Sequence, residues 1–356
     1  MQQKFEHGGN IYIPLSGKRG WIDFSANINP LGLSSCVRDT IISHISCIVH
    51  YPDPQGRDLK EALALYYAVP YHDIILGNGA TELLYVFFHC FRPGRVLIPS
   101  PSFSEYERAA RAAGARVDFL YLQAAAAFAV PWDELAAACG RTDCIILGNP
   151  NNPTGRLLPA AEIERLVRVA ASQKTIILVD ESFLDFQCDA DAYSIKKLAG
   201  KYPNLVVLSS LTKFYALPGL RLGFAVASTE NVQMMEKHKD VWNVNVLAQY
   251  AGVAALADRT YQEHTCLFIA AEKKWLYNAF RTLHGVQIFP SSANFLLMNI
   301  EKSGYTSNDI EGMLRCEGIL IRTCANYPGL NSYYMRVAVR LHQENELLIA
   351  ALKKIL

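Results

Sequence analysis

Ser209-Ser-Leu-Thr-Lys-Phe-Tyr-Ala-Leu-Pro-Gly-Leu-Arg-Leu-Gly223 decides how the rest of this 356-residue chain is read. It follows the apolar run Leu205 to Leu208, so Lys213 is expected where a buried strand ends and a loop begins. An ammonium there must leave water or give up its proton. A lysine held toward the neutral amine is a nucleophile for an aldehyde. The hydroxyls of Ser209, Ser210 and Thr212 and the guanidinium of Arg221, eight residues on, form a cradle for an anionic group beside it. A lone strand-end lysine would instead snorkel to solvent. The neighbours of Lys213 argue for a site.

Working outward, the apolar strand Thr175 to Val179 delivers Asp180 at its C-terminal end, 33 residues before the lysine. Open α/β sheets bind ligands in the crevice at such ends. The strand Cys144 to Leu147 runs into Gly148-Asn-Pro-Asn-Asn-Pro-Thr-Gly155, whose two prolines and three asparagines force a structured turn and leave amides free to face a site. Gly77-Asn-Gly-Ala-Thr-Glu82 opens a helix running to about Phe91. Its backbone N–H groups, at Gly79, Ala80 and Thr81, suit an anion, and an ordinary cap would look the same. Phe103, at a strand-to-helix junction, is either a ring that stacks on a flat ligand or a core phenylalanine.

Strands and helices alternate through the middle of the chain, which predicts a mostly parallel sheet covered on both faces. Residues 34–49 and 56–68 carry helical spacing, as do about 159–172 and a long region from 231 to 280 interrupted at Trp242-Asn-Val-Asn245. The last segment reads as a small α+β unit with a helix near 308–316, a strand Ile319 to Arg322, a strand Tyr334 to Val339 and a final helix. Arg336 and Arg322 lie in these strands, and arginine grips a carboxylate or phosphate through paired hydrogen bonds. At the other end, His7-Gly-Gly-Asn10 lets the backbone approach a ligand closely, and Asn27 in Asp23-Phe-Ser-Ala-Asn27 carries both donor and acceptor.

Composition narrows the function. Half of the residues are hydrophobic and the net charge is +1, so a large core is available and nothing favours nucleic acid or an anionic membrane. Nine cysteines lack C-x-x-C spacing, which reads as thiols in a reducing compartment and no metal. The N-terminus has no apolar leader segment, and a cytoplasmic protein acting on a small molecule is expected.

Taken together, Asn152, Asp180, Lys213 and Arg221 resemble the motif set of fold-type I pyridoxal-phosphate enzymes, the aspartate aminotransferase superfamily. That resemblance implies an α/β fold with a mostly parallel sheet in a large domain (48–255), a small α+β domain (21–47 with 256–356), and an arm (1–20) over the site. It implies pyridoxal 5'-phosphate as cofactor, with Lys213 as the amine that holds it and Asp180 keeping a proton on the pyridine nitrogen. Gly79, Ala80, Thr81, Phe103, Asn152, Ser210, Thr212 and Arg221 would contact the cofactor. Where the superfamily often has a tyrosine three residues after the aspartate, this chain has Phe183, and Tyr215 is the candidate replacement.

Within the superfamily, His7-Gly-Gly-Asn10, Asp23 to Gly32, Ser210 to Ala216 and Ile321-Arg-Thr-Cys-Ala-Asn-Tyr-Pro-Gly329 resemble the threonine-phosphate decarboxylase family, relatives of the histidinol-phosphate aminotransferases. That implies His7, Gly8, Asn27, Asn152, Arg322 and Arg336 for a phosphoamino acid, with one arginine on the carboxylate and the other, with the histidine, on the phosphate. It also implies a homodimer in which Tyr51 reaches the cofactor phosphate of the neighbouring subunit. Loss of CO₂ is the expected reaction and transamination the alternative, because the bond that breaks at Cα is the one held perpendicular to the cofactor ring.

Overall fold

The computed structural model describes residues 7–12 and 20–356. Seven strands form its main sheet in the spatial order Ile74–Gly77, Gly223–Ala227, Leu205–Ser210, Ile176–Asp180, Cys144–Gly148, Arg95–Ser100, Arg116–Tyr121. Only Gly223–Ala227 runs antiparallel to its neighbours. Cys144–Gly148 and Leu205–Ser210 are buried at every position, as strands covered on both faces must be. Alternate residues feed two cores: Leu147, Val179 and Val207 on one face, Ile146, Leu178 and Val206 on the other.

The second unit holds an antiparallel sheet in the order Arg322–Thr323, Tyr334–Ala338, Phe295–Asn299, Gln287–Ile288. Leu276 and Phe280 at the end of helix Arg259–Phe280 share its core with Met298, Ile310 and Leu348. Ile22–Asp23 pairs in parallel with Ile319–Leu320, which ties the start of the chain to its last third.

Three expectations change. The single strand expected over 319–322 is two, because the chain bends at buried Ile321 and leaves one sheet for another. The helix expected over 34–49 ends at Ser43 and continues as a 3₁₀ segment, Ile45–Val49. Its Val37 joins the core of the main sheet and the helix packs on Val246–Ala257, so these residues belong with the large unit although 21–47 was assigned to the small one. A helix goes with whichever core its apolar side chain reaches. Among the described residues no helix is long and apolar enough to cross a membrane.

Candidate active site

The C-terminal ends of Cys144–Gly148, Ile176–Asp180 and Leu205–Ser210 lie level, Gly148 opposite Asp180 and Asp180 opposite Leu208, and open onto a cavity of about 790 Å³. Ala80, Thr81, Phe103, Asn152, Asp180, Ser210, Thr212, Lys213 and Arg221 line it from the large unit. His7 and Gly8 of the arm, Asn27, and Arg322 and Arg336 of the small unit complete the wall.

Lys213 stands on a short helical turn, Leu211–Phe214, rather than in a loop. Ser210 caps that turn, its Oγ accepting from the Thr212 N–H at 3.3 Å. Two hydrogen bonds from Asn29 fix the turn, its N–H donating to the Lys213 carbonyl at 3.0 Å and its Nδ2 to the Phe214 carbonyl at 2.8 Å. The Lys213 Nζ donates to Thr212 Oγ1 at 2.9 Å. Burial, reinforced by the Arg221 and Arg336 charges and only partly opposed by Asp180, brings the amine down to about 8. A lysine so placed holds a neutral, nucleophilic fraction at physiological pH.

Asp180 is fixed from two sides. Tyr106 donates its phenol to Oδ2 at 2.7 Å, and Ser182 donates its N–H to Oδ1 at 3.0 Å. Burial and the Asp180 charge raise the Tyr106 phenol well above its ordinary range, so it stays a donor. Sequence reasoning missed Tyr106, although it lies one helical turn after Phe103 and meets that ring edge-on at 5.6 Å.

The asparagine loop divides its labour. Asn149 Oδ1 accepts from the Leu158 N–H at 2.8 Å, and Asn151 Nδ2 donates to the Pro101 carbonyl and Thr154 Oγ1, each at 2.9 Å. These two hold the loop, and Asn152 is left to face the cavity. Arg336 donates Nη1 to Asn152 Oδ1 and Nη2 to the Ser25 carbonyl at 2.7 Å, while its Nε is buried without a partner. Asn27 Oδ1 is another buried, unpartnered atom on this wall. Arg322 and Arg336 sit directly opposite each other across an antiparallel pair, so both guanidiniums leave the same face of the sheet. Both are about one-twentieth exposed.

One expected cofactor contact is elsewhere. Tyr215 is buried in the core of the main sheet, edge-on to Phe214, and does not line the cavity, so it is not the replacement for the tyrosine missing at Phe183. It follows the helical turn Leu211–Phe214, as its C-terminal cap, and packs with the main-sheet core. Phe183 itself lies on the wall with its ring edge-on to Phe295. Tyr51, expected at the neighbouring subunit's site, is exposed and stacked on Trp242 at 4.3 Å, outside this chain's own cavity.

The residues fit pyridoxal phosphate. Gly79, with φ +83°, starts helix Ala80–Phe91 without a side-chain cap, and a helix start of this kind suits an anion. A Cβ on Gly79 would lie 2.5 Å from the Arg221 guanidinium, and one on Gly223 would lie 2.3 Å from the Ala80 nitrogen. Only glycines allow this cradle of helix start, Arg221, Ser210 and Thr212, which has the donors for a phosphate. Asp180 and Lys213 lie beyond it for the ring nitrogen and the aldehyde.

The chain belongs to the family aminotransferase class I and II, whose model matches residues 19–352, and enzymes of this family depend on pyridoxal phosphate. It is 38% identical to the threonine-phosphate decarboxylase of Salmonella typhimurium over 98% of this chain and 96% of that one. Among solved structures it is similar to the L-threonine-O-3-phosphate decarboxylase of Porphyromonas gingivalis, with TM-score 0.83 and 29% identity over 93% of this chain and 98% of that one. It is also similar to the histidinol-phosphate aminotransferase of Clostridium acetobutylicum, with TM-score 0.87 and 30% identity over the same shares, 93% and 98%.

Proposed function

We propose that this chain decarboxylates L-threonine O-3-phosphate to (R)-1-aminopropan-2-yl phosphate and CO₂, supplying the linker of the cobalamin nucleotide loop. The observation that carries this reading is the opposed pair Arg322 and Arg336. Like charges facing each other across strands destabilise a sheet, and burying both adds a desolvation cost. A guest with two anionic groups offsets both. The cavity wall holds five lysine and arginine side chains against three carboxylates, which suits a cofactor phosphate plus a substrate bearing a carboxylate and a phosphate.

Bound pyridoxal phosphate supplies an electron sink in conjugation with the substrate Cα. Lys213 would hold the cofactor aldehyde, and its amine would serve to carry a proton for Cα. Asp180, aimed by Tyr106 and Ser182, would hold a proton on the ring nitrogen. Arg336, oriented by Asn152 and the Ser25 carbonyl, takes the α-carboxylate. Arg322 and His7 take the phosphate. With both ends of the substrate gripped, the carboxylate is turned so that its bond to Cα breaks, CO₂ leaves, and Lys213 returns a proton to Cα. Asn152, its Oδ1 engaged by Arg336, would offer its amide NH₂ to the cofactor ring.

The homodimer expected from the resemblance is supported by an exposed apolar face around Tyr51 and Trp242 that includes Ile45, Ile48 and Val49. The likeness to a histidinol-phosphate aminotransferase favours a second reading, transamination in the same cavity. One assay separates them. Incubation with L-threonine O-phosphate should release CO₂ and the amine in equal amounts without added 2-oxoglutarate. Glutamate formation from 2-oxoglutarate with no CO₂ would replace the first reading by the second.

A further inference from the structure

Glu105 is an unexpected lining for a cavity that takes anions. It lies in the first turn of helix Ser104–Ala112, and the helix dipole favours a carboxylate there. That accounts for its charge but not for its burial, since only 5% of it is exposed. Its Oε1 accepts from His7 Nε2 at 2.8 Å and from Arg108 Nη1 at 3.3 Å. The Tyr85 phenol of helix Ala80–Phe91 lies against it, raised by burial and by the Glu105 charge. Burial pushes the Glu105 carboxyl up, but His7 and Arg108 outweigh burial and hold it below the usual range.

The described part of the arm that carries His7 also rests on Ser25. Gly9 donates its N–H to Ser25 Oγ at 2.7 Å, and a Cβ on Gly8 would lie 2.1 Å from the Ser25 carbonyl oxygen, so the backbone lies flat on Ser25. Ser25 in turn donates to Asp23 Oδ1 at 2.6 Å and accepts from Arg336 at its carbonyl. A carboxylate can only accept, so the His7 nitrogen facing Glu105 carries the hydrogen. The other ring nitrogen, Nδ1, is left for the cavity.

We propose that Glu105 is a positioning residue for phosphorylated substrates, docking the arm through His7 Nε2 and turning Nδ1 toward the substrate phosphate. This rests on the cavity being a phosphoamino-acid site. Phosphate binding then depends on a carboxylate that never touches the phosphate, and the unphosphorylated amino acid gains nothing from it. With Nε2–H committed to Glu105, Nδ1 is the ring nitrogen that meets the phosphate, as a donor when the ring carries both hydrogens.

The test is Glu105→Gln in the holoenzyme. KM for L-threonine O-phosphate should rise about ten- to hundredfold, the range for losing a charged hydrogen bond, with the loss falling on KM rather than kcat. Inhibition by inorganic phosphate should weaken by a similar factor. His7→Ala should match it, and the double variant should be no worse than His7→Ala alone. Should Glu105→Gln fail to fold, Glu105→Asp keeps the charge beside Arg108 but draws back from His7, and is expected to move the same constants. Unchanged phosphate inhibition in a folded variant, or additive losses in the double variant, would overturn the proposal. If the wild-type enzyme transaminates and releases no CO₂, the decarboxylase reading fails while the inorganic-phosphate constants still test Glu105.

Discussion

Lys196 and Lys213 are both drawn away from water, and they have opposite fates. Lys196 is 2% exposed, with Nζ 2.6 Å from Glu181 Oε2 and 4.8 Å from the centre of the Tyr67 ring. Glu181 also accepts from Ser194 Oγ at 2.7 Å and the Ile195 N–H at 2.8 Å, so this charge pair is fully partnered. Lys213 has a hydroxyl for its hydrogen-bond partner and two guanidiniums for neighbours. Of the adjacent carboxylates, Glu181 pairs with Lys196 while Asp180 is held by Tyr106 and Ser182, because successive side chains at a strand end leave in opposite directions. Burial alone therefore does not make a lysine reactive. Withholding a carboxylate from it does.

The contrast predicts opposite phenotypes. Lys213→Ala should lower turnover by about 10³-fold or more and abolish the visible absorbance of bound cofactor, with the melting temperature kept or raised. Lys196→Met should do the reverse: it strands the buried Glu181 charge and costs about 3–5 kcal/mol in urea unfolding, while the cofactor absorbance survives. A Lys196→Met protein as stable as wild type would remove the distinction.

A pH series sharpens it. Because the Lys213 amine is lowered from 10.5 to about 8, its neutral fraction grows about tenfold per unit below that value. The rate at which apo-protein takes up pyridoxal phosphate should rise accordingly and level off above about 8, where an ordinary lysine would keep gaining. The unfolded chain holds the extra proton between the two values, so apo-protein stability should rise from about pH 8 toward 10.5. The smallest effect is expected from Tyr106→Phe, which removes one hydrogen bond from Asp180. Turnover should fall by no more than about tenfold, checked by steady-state kinetics beside an unchanged melting temperature.

The cofactor half of the site was legible because its parts are local. Ser210, Thr212, Lys213 and Arg221 fall within one short stretch, and Gly79 to Thr81 form one helix start, so spacing and residue type were enough. Tyr215 misled because a hydroxyl two residues from Lys213 is near in sequence and faces away in space. Tyr106, Ser182, Asn29 and Glu105 were not legible, since each acts through a partner brought close by packing. The strand at 319–322 was read as one because apolar patterning does not reveal a change of sheet.

By itself, the sequence determined that a parallel sheet would deliver a carboxylate and a lysine to the same ends of its strands, because alternation of apolar runs with helical spacing leaves few other ways to bury this much hydrophobic surface. Only the tertiary structure decided that Arg322 faces Arg336 across a strand pair, that the arm lies on Ser25 and Glu105, and that Lys213 lacks the carboxylate Lys196 possesses. Those are contacts between segments far apart in the chain, and their geometry depends on register and packing, which residue order does not encode locally.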